Sequence, residues 1–254
     1  MRKQAIILGG GTSVLEGINT GLFDKIRDQF TVGLNYSHHY FASTMQMFVD
    51  ETFAQDQKNF LEQLPLVIGK EHSGLTLTPN IYHFPVCPEY TRDCHKGIYK
   101  STLVGLFALS FLIYVLDEGD IFLLGYDYGA TYNKSGQPIT HWYQSGKIQS
   151  IYTGKPQDMP HRGIGKVNWY EALHRDTANS KPIPRAEHEF GVYAQESKVN
   201  IYNVSIASKV TTFPKINFEQ FYQMLDTQSC DQDAIRQEVR NKANELLSVQ
   251  KGSR

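Results

Sequence analysis

Short apolar runs alternate with helix-type segments along most of the chain. The apolar runs predict strands at residues 4–8, 30–36, 46–50, 66–69, 120–129 and 199–205. Helices are predicted at residues 13–26, 56–64, 96–119, 217–225 and 233–247. Strands that alternate with helices are typical of a Rossmann-like α/β fold, in which helices cover both faces of a mostly parallel sheet. Ligands of such folds bind outside the carboxyl ends of the strands.

The same pattern divides the chain into two parts. We expect one domain at residues 1–225, followed by a C-terminal helix and tail at residues 226–254. Periodicity disappears at residues 130–185, and a loop of that length with many aromatic residues predicts a functional lid. The last helix has one apolar face, formed by Ile235, Val239, Ala243 and Leu246. That face favours packing against the domain or homo-oligomerisation.

Composition excludes several classes of protein. The 254 residues include 25 basic and 26 acidic side chains, so no global field attracts the chain to nucleic acid or membrane. The three cysteines lack the spacing of a zinc site or a disulfide framework, which favours the cytoplasm. The longest apolar run, residues 102–116, is shorter than the roughly 20 residues that span a bilayer, and a buried helix is expected there.

The predicted lid carries a local positive charge. Eight basic residues stand in it against three acidic ones: Lys134, Lys147, Lys155, Arg162, Lys166, Arg175, Lys181 and Arg185 against Asp158, Glu171 and Asp176. A basic, aromatic, histidine-bearing loop beside strand ends indicates an anionic ligand. A solvated basic loop is the alternative interpretation.

Three consecutive glycines, Gly9 to Gly11, connect the first strand to the first helix. Backbone N–H groups without side chains can hold an anion at such a turn, and Thr12 and Ser13 add hydroxyl groups. A tight strand–helix connection is the alternative. The dinucleotide pattern GxGxxG fails because Val14 stands where its third glycine belongs, and no GKS or GKT follows. The glycines therefore predict a nucleotide site of neither common type.

Two segments resemble a known group of enzymes. The opening "AIILGGGTSVLEGINTGLFDKIRDQFTVGLNYSHHYF" resembles that of the small bacterial lipo-oligosaccharide sialyltransferases, and "HKGIYKSTLVGLFAL…DIFLLGYDYG" resembles their second nucleotide-contacting segment. The layout also occurs in a wider set with hydroxymethylpterin diphosphokinases and a phage-borne group of proteins. The closing "YNVSIASKVTTFPKINFEQF" resembles the phage group best.

The resemblance implies roles for individual residues. It makes Gly9, Gly11 and Ser13 the phosphate loop, with Gly10 and Thr12 inside it. Asn35 would bind the phosphate or leaving group, and Gly97 would let backbone approach the nucleotide. Asp127, with Gly125, would hold the ribose hydroxyls, and a tyrosine, Tyr128 or Tyr132, would stabilise the departing phosphate.

The sequence also departs from the family. Asp50 stands where the family has an asparagine after the third strand, and His95-Lys96 replaces a Thr-Ser pair before the glycine that opens the buried helix.

Histidine is suited to act as the base for an acceptor hydroxyl. The family's base lies in the loop after the G-x-D strand, where this sequence offers His161 and His141. Arg162 and Lys166 would hold phosphate oxygens beside His161, and Trp142 would stack on a sugar or base beside His141. His38 and His39 are expected to be surface residues at a strand end.

These observations predict a glycosyltransferase-like enzyme that displaces a nucleotide from a nucleotide sugar onto a hydroxyl acceptor. The acceptor is a glycan or a hydroxymethylated base in phage DNA. No HxH, HExxH or post-strand DxD pattern occurs, so we expect no metal ion and no cofactor, with the nucleotide sugar as substrate. A diphosphokinase-like transferase acting on a hydroxymethyl heterocycle and a non-catalytic nucleotide-binding phage protein are the alternatives.

Overall fold

A computed structural model of the chain describes residues 3–71, 78–87, 98–99, 103–129, 131–132, 138–139, 141–145, 148–155, 173–175, 181–184, 187, 189–191 and 198–252. The strands are β1 (Gln4–Leu8), β2 (Thr31–Leu34), β3 (Met45–Phe48), β4 (Val67–Lys70), β5 (Ile81–Phe84), β6 (Val86–Cys87), β7 (Ile98–Tyr99), β8 (Gly119–Leu124), β9 (Thr131–Tyr132), β10 (Pro138–Ile139), β11 (Leu173–Arg175), β12 (Pro182–Pro184) and β13 (Val199–Asn203). The α-helices are α1 (Val14–Asn19), α2 (Leu22–Ile26), α3 (Glu51–Asp56), α4 (Lys58–Leu61), α5 (Val104–Leu116), α6 (Phe218–Met224) and α7 (Gln232–Gly252). Two short 3₁₀ helices are Asn35–His39 and Trp142–Gln144.

Seven strands form one parallel sheet in the order β13-β8-β1-β2-β3-β4-β5. The pair β6–β7 is parallel, and the pairs β9–β10 and β11–β12 are antiparallel. The chain leaves the central strand β1 in one direction as far as β5 and returns through α5 to β8 on the other side of β1. The loops that follow β1 and β8 therefore meet at the point where the strand order reverses, which is where open α/β sheets bind ligands.

Both faces of the sheet are buried. Successive side chains of a strand point to opposite faces, and apolar residues follow one another along these strands. Ala5 and Ile7 of β1 face the cluster that contains α5, whereas Ile6 and Leu8 face the cluster that contains α1, α2 and α6. Helix α7 contributes to the α5 cluster through Val239, Ala243 and Leu246. The predicted Rossmann-like α/β fold is confirmed: helices cover both faces of a parallel sheet.

The predicted elements differ from the observed ones at several places, three of which have a local reason. Strand β5 was not predicted because it lies at the edge of the sheet and buries only Ile81 and Phe84 of its four residues. The helix expected from residue 96 begins at Val104, because Leu103 has an extended backbone. The helix expected at residues 13–26 is two helices, separated where Gly21 takes a left-handed conformation with φ of 81°.

His38 and His39 are buried, at 2% and 4% exposure, so the expectation of surface histidines is wrong. Nδ1 of His38 donates to the Asn35 carbonyl oxygen at 2.8 Å, and Nε2 of His39 lies 2.7 Å from Oε1 of Gln57. The second ring nitrogen of each histidine is buried and has no hydrogen-bond partner among the described residues. The Tyr152 ring packs edge-to-face with the His39 ring, with ring centroids 5.4 Å apart. A proton added to either ring would therefore be buried without an acceptor.

This burial predicts a loss of stability in mild acid. Burial, and then the neighbouring His39, lowers the pKa of His38 from 6.5 to about 4, and burial lowers the pKa of His39. The folded state thus binds fewer protons than the unfolded one. Stability is complete above pH 6.5 and falls as the pH drops toward 4, with His38 contributing roughly 3 kcal/mol. Urea unfolding at pH 7.5, 6, 5 and 4.5 measures this loss.

The matched variant is His38→Asn, whose amide can still donate to the Asn35 carbonyl but does not titrate. The free energy of unfolding of the variant should vary less with pH across this window than that of the wild type. Identical pH profiles for the two proteins would contradict the assignment to His38.

Candidate functional site

The loops after β1 and β8 are joined by hydrogen bonds beyond the ends of the strands. The Gly9 N–H donates to the Leu124 carbonyl oxygen and the Gly11 N–H to the Gly125 carbonyl oxygen, both at 2.8 Å. Gly125 accommodates this approach with a left-handed backbone, φ 71°. The glycine loop is therefore fixed against the end of β8 at the reversal point of the sheet.

A buried carboxylate continues this connection. Asp127 is 8% exposed, and its two oxygens accept hydrogen bonds from Ser13, Oδ2 from the backbone N–H at 2.7 Å and Oδ1 from the hydroxyl at 2.5 Å. Ser13 immediately precedes α1. Asp127 thus holds the start of α1 against the β8 loop, and two of its roughly four acceptor positions are used in doing so.

The segment at residues 141–145 packs against the glycine loop. Trp142 is fully buried, its Nε1 donates to the Gly9 carbonyl oxygen at 2.8 Å, and its backbone N–H donates to the Gly10 carbonyl oxygen at 2.8 Å. The His141 ring lies directly against Gly10. Trp142 therefore anchors the loop, and its buried ring is not placed to stack on a ligand in this conformation, the role expected of it.

Close packing explains all three glycines, and a Cβ atom on Gly9 would lie 2.9 Å from the Leu124 carbonyl oxygen. A Cβ atom on Gly11 would lie 2.6 Å from both Oδ2 of Asp127 and the Gly125 carbonyl oxygen. A Cβ atom on Gly10 would lie 2.9 Å from Nε2 of His141 and closer still to Cδ2. These separations are below van der Waals contact, so a side chain at Gly11 or Gly10 would displace the Asp127 loop or His141. The tight connection considered from the sequence is present.

Some donors of the loop remain after these contacts. Three of its N–H groups, those of Gly9, Gly11 and Ser13, donate to the β8 side. Within the described residues, the N–H groups of Gly10 and Thr12 and the Thr12 hydroxyl have no hydrogen-bond partner. Alternate residues of the loop therefore serve structure and leave donors at the carboxyl edge of the sheet.

Asn35 lies at the carboxyl end of β2, beside β1. Its backbone is left-handed, with φ of 50°, a conformation that asparagine tolerates better than most residues. Its carbonyl oxygen accepts from Nδ1 of His38 at 2.8 Å and from Nε2 of Gln46 at 2.7 Å. Its own Oδ1 is buried and has no partner among the described residues. Such an acceptor is costly to bury alone, and a ligand or water donor would satisfy it.

Sequence reasoning missed a polar group next to Asn35. Oγ of Ser37, Oγ of Ser43 and Oε1 of Gln46 surround the hydrogen atoms of Gly33, and a Cβ there would lie 2.7 Å from each serine oxygen. These three oxygens are buried and lack partners within the described part of the chain. The sequence did offer one signal: Gln46 lies inside β3, whose other residues are apolar, and its polar side chain is not accounted for by apolar packing.

The remaining expected site residues are Asp50, two tyrosines and four residues outside the described part of the chain. Asp50 caps α3, its Oδ1 accepting from the Phe53 N–H at 2.9 Å, so it serves a helix start. Tyr128 has a left-handed backbone, φ 52°, and its ring packs on Phe190 with centroids 5.6 Å apart. Tyr132 lies in β9, and its side chain is outside the described part of the chain. Gly97, His161, Arg162 and Lys166 lie outside the described residues, so their roles stay predictions.

Two kinds of feature are absent from the described residues. No helix there is long and apolar enough to cross a membrane. In the same residues, no group of three or more His, Cys, Asp or Glu side chains is placed to hold a metal ion.

The fold and the loop geometry define a Rossmann-like α/β protein with a glycine loop at its strand-order reversal. No family model matches the chain, and no match was found among the curated proteins or among the solved structures.

The Asp127–Ser13 contact should contribute measurably to stability. Asp127→Ala should lower the free energy of unfolding by about 2–3 kcal/mol and Ser13→Ala by about 1 kcal/mol, because the serine change removes only the hydroxyl bond. Urea unfolding of both single variants and the double variant gives the coupling energy. The control Asp24→Ala, at an exposed ion pair, should change stability by less than about 0.5 kcal/mol. Additive effects of the two site changes would contradict the contact.

Proposed function

We propose that the protein is a transferase that uses a nucleotide-activated donor, a nucleotide sugar, and acts in the cytoplasm. The observation that carries the proposal is the donor set at the reversal point of the sheet. The N–H groups of Gly10 and Thr12 and the Thr12 hydroxyl lie there together, without partners in the described residues. A diphosphate presents several anionic acceptors, and backbone N–H groups of such loops are suited to them.

The charge of Asp127 is compatible with an anion at this loop. Its carboxylate is directed to Ser13, which supplies two donors, so its negative charge is compensated on the side of α1. The unused acceptor positions still permit a bond to a ribose hydroxyl, the role that the sequence resemblance implies. We assign Asp127 first to positioning the loop and second to the ribose.

The proposed reaction is direct displacement at the anomeric carbon. The acceptor hydroxyl forms the new C–O bond, the bond from that carbon to the phosphate oxygen breaks, and the hydroxyl proton passes to a base. The electron pair of the broken bond stays on the nucleotide phosphate, where donors of the loop stabilise its charge. His161 is the base that the sequence favours, with Arg162 and Lys166 beside it. We propose that this step needs no metal ion.

The acceptor is proposed to be a hydroxyl of a glycan or of a hydroxymethylated base in DNA. Product analysis with each acceptor distinguishes the two. Retention on DNA at low salt, falling steeply as salt rises, would favour the nucleic-acid acceptor.

The experiment is a thermal-shift screen with UDP, GDP, CMP and the corresponding nucleotide sugars, followed by calorimetric titration of the nucleotide that gives the largest shift. Thr12→Val keeps the shape of the side chain and removes its hydroxyl. We expect the variant to fold normally and to lose about 1–3 kcal/mol of binding free energy, since a hydrogen bond to a charged group is removed.

Thr227→Val is the matched control, because Thr227 is exposed between α6 and α7, away from the loop. Its affinity should equal that of the wild type. If no nucleotide shifts the melting temperature, the proposed function is wrong. If a nucleotide binds equally well to Thr12→Val, the binding site lies elsewhere.

A further inference from the structure

Three polar side chains meet at Gly33, where the crossover from β2 to β3 (residues 35–44) packs against the sheet. Ser37 and Ser43 belong to the crossover, and Gln46 is the neighbour of Gly33 in the register of β3. A Cβ atom on Gly33 would lie 2.7 Å from each serine oxygen and closer still to Oε1 of Gln46. The three oxygens therefore converge on the side of Gly33 where other residues carry a side chain.

These converging oxygens are buried, and none of them has a hydrogen-bond partner within the described part of the chain. Ser37 is 0% exposed and Gln46 is 2% exposed. The orientation of the Gln46 amide is fixed, because its Nε2 donates to the Asn35 carbonyl oxygen at 2.7 Å. Its Oε1, which can only accept, is thereby directed to Gly33. Buried oxygens without partners are unfavourable, so three of them at one point indicate an atom that binds all three.

The chemistry of the three groups narrows the class of that atom. Two hydroxyl oxygens and one amide oxygen are neutral ligands, and no carboxylate is among them. Hard cations prefer oxygen ligands, and divalent ions in proteins generally use carboxylates to balance their charge. Neutral oxygens alone suit a monovalent ion, as the carbonyl oxygens of potassium channels do. A buried water molecule is the alternative occupant.

We infer that Ser37, Ser43 and Gln46 bind a monovalent alkali cation, Na⁺ or K⁺, beside Gly33. The ion lies beyond the hydrogen atoms of Gly33, in space that a larger side chain would fill. It joins the crossover to β3 and, through Gln46, holds the Asn35 carbonyl at the end of β2. Its role is to stabilise this part of the fold, and it does not depend on the proposed function.

The surroundings of the three oxygens are compatible with a cation. Burial, and then His39, lowers the pKa of His38 to about 4, so the histidine next to Ser37 is neutral at pH 7 and does not repel a positive ion. Ser43 is half-buried and follows the exposed Ala42, so the ion can enter and leave from that side.

The experiment measures the melting temperature of the full chain at neutral pH in the chlorides of lithium, sodium, potassium and choline at equal ionic strength. Screening of surface charges is the same in the four salts, so a difference between them reports a specific ion. We expect a saturable rise with sodium or potassium, about 3–5 °C above choline chloride at a roughly ten-fold excess of the ion over its Kd. Equal melting temperatures in all four salts would overturn the inference and assign the oxygens to water.

Ser37→Ala and Ser43→Ala locate the ion, because each removes one oxygen ligand. Each should lose most of the salt-specific rise. In choline chloride, Ser37→Ala should melt about as high as the wild type, because the buried hydroxyl that it removes then has no partner.

Ser205→Ala is the matched control. Ser205 also has a buried hydroxyl without a partner among the described residues, but it follows β13, on the other side of β1 from β2 and β3. This variant should keep the full salt-specific rise. The same rise in Ser37→Ala and Ser43→Ala as in the wild type would place the ion elsewhere and overturn the inference, and so would its loss in Ser205→Ala.

Discussion

The hydrogen bonds that tie the end of β1 to the end of β8 are the constraint on which the site depends. They run from the glycine loop to the Leu124 and Gly125 carbonyl oxygens and from Ser13 to Asp127. Without them the two loops would diverge, as loops at a strand-order reversal generally do. Because alternate N–H groups of the loop are used in this way, the intervening ones keep a defined direction. The same contacts that stabilise the fold therefore create the donor set.

The segment around Trp142 makes that arrangement rigid. A buried indole that donates to a loop carbonyl holds the backbone more firmly than packing alone, since the bond has a preferred direction. Oε1 of Gln144 accepts from the His141 backbone N–H, and the His141 ring lies against Gly10 of the loop. Positioning by residues that do not touch the ligand is the general condition for an effective binding site.

The parallel sheet could be predicted from the sequence because its strands bury both faces and alternate with helices. The glycine loop and Asp127 could be placed together because the ends of parallel strands share one edge of the sheet, whereas His141 was named from the family resemblance. The pairing of Asp127 with Ser13 could not, because it joins residues 114 positions apart through side-chain geometry. Trp142 was assigned to a ligand because aromatic residues in a polar loop give no signal of burial. Edge strand β5 was missed since half of its side chains are partly exposed.

Backbone amide spectra of the isotope-labelled protein, recorded during titration with the nucleotide that stabilises it most, test the central claim most directly. The account predicts that the Gly10 and Thr12 amide signals shift strongly, because these N–H groups acquire acceptors. Those of Gly9, Gly11 and Ser13, already bonded within the protein, should shift less. Saturation of binding with unchanged Gly10 and Thr12 signals, and with shifts concentrated at another part of the chain, would contradict it.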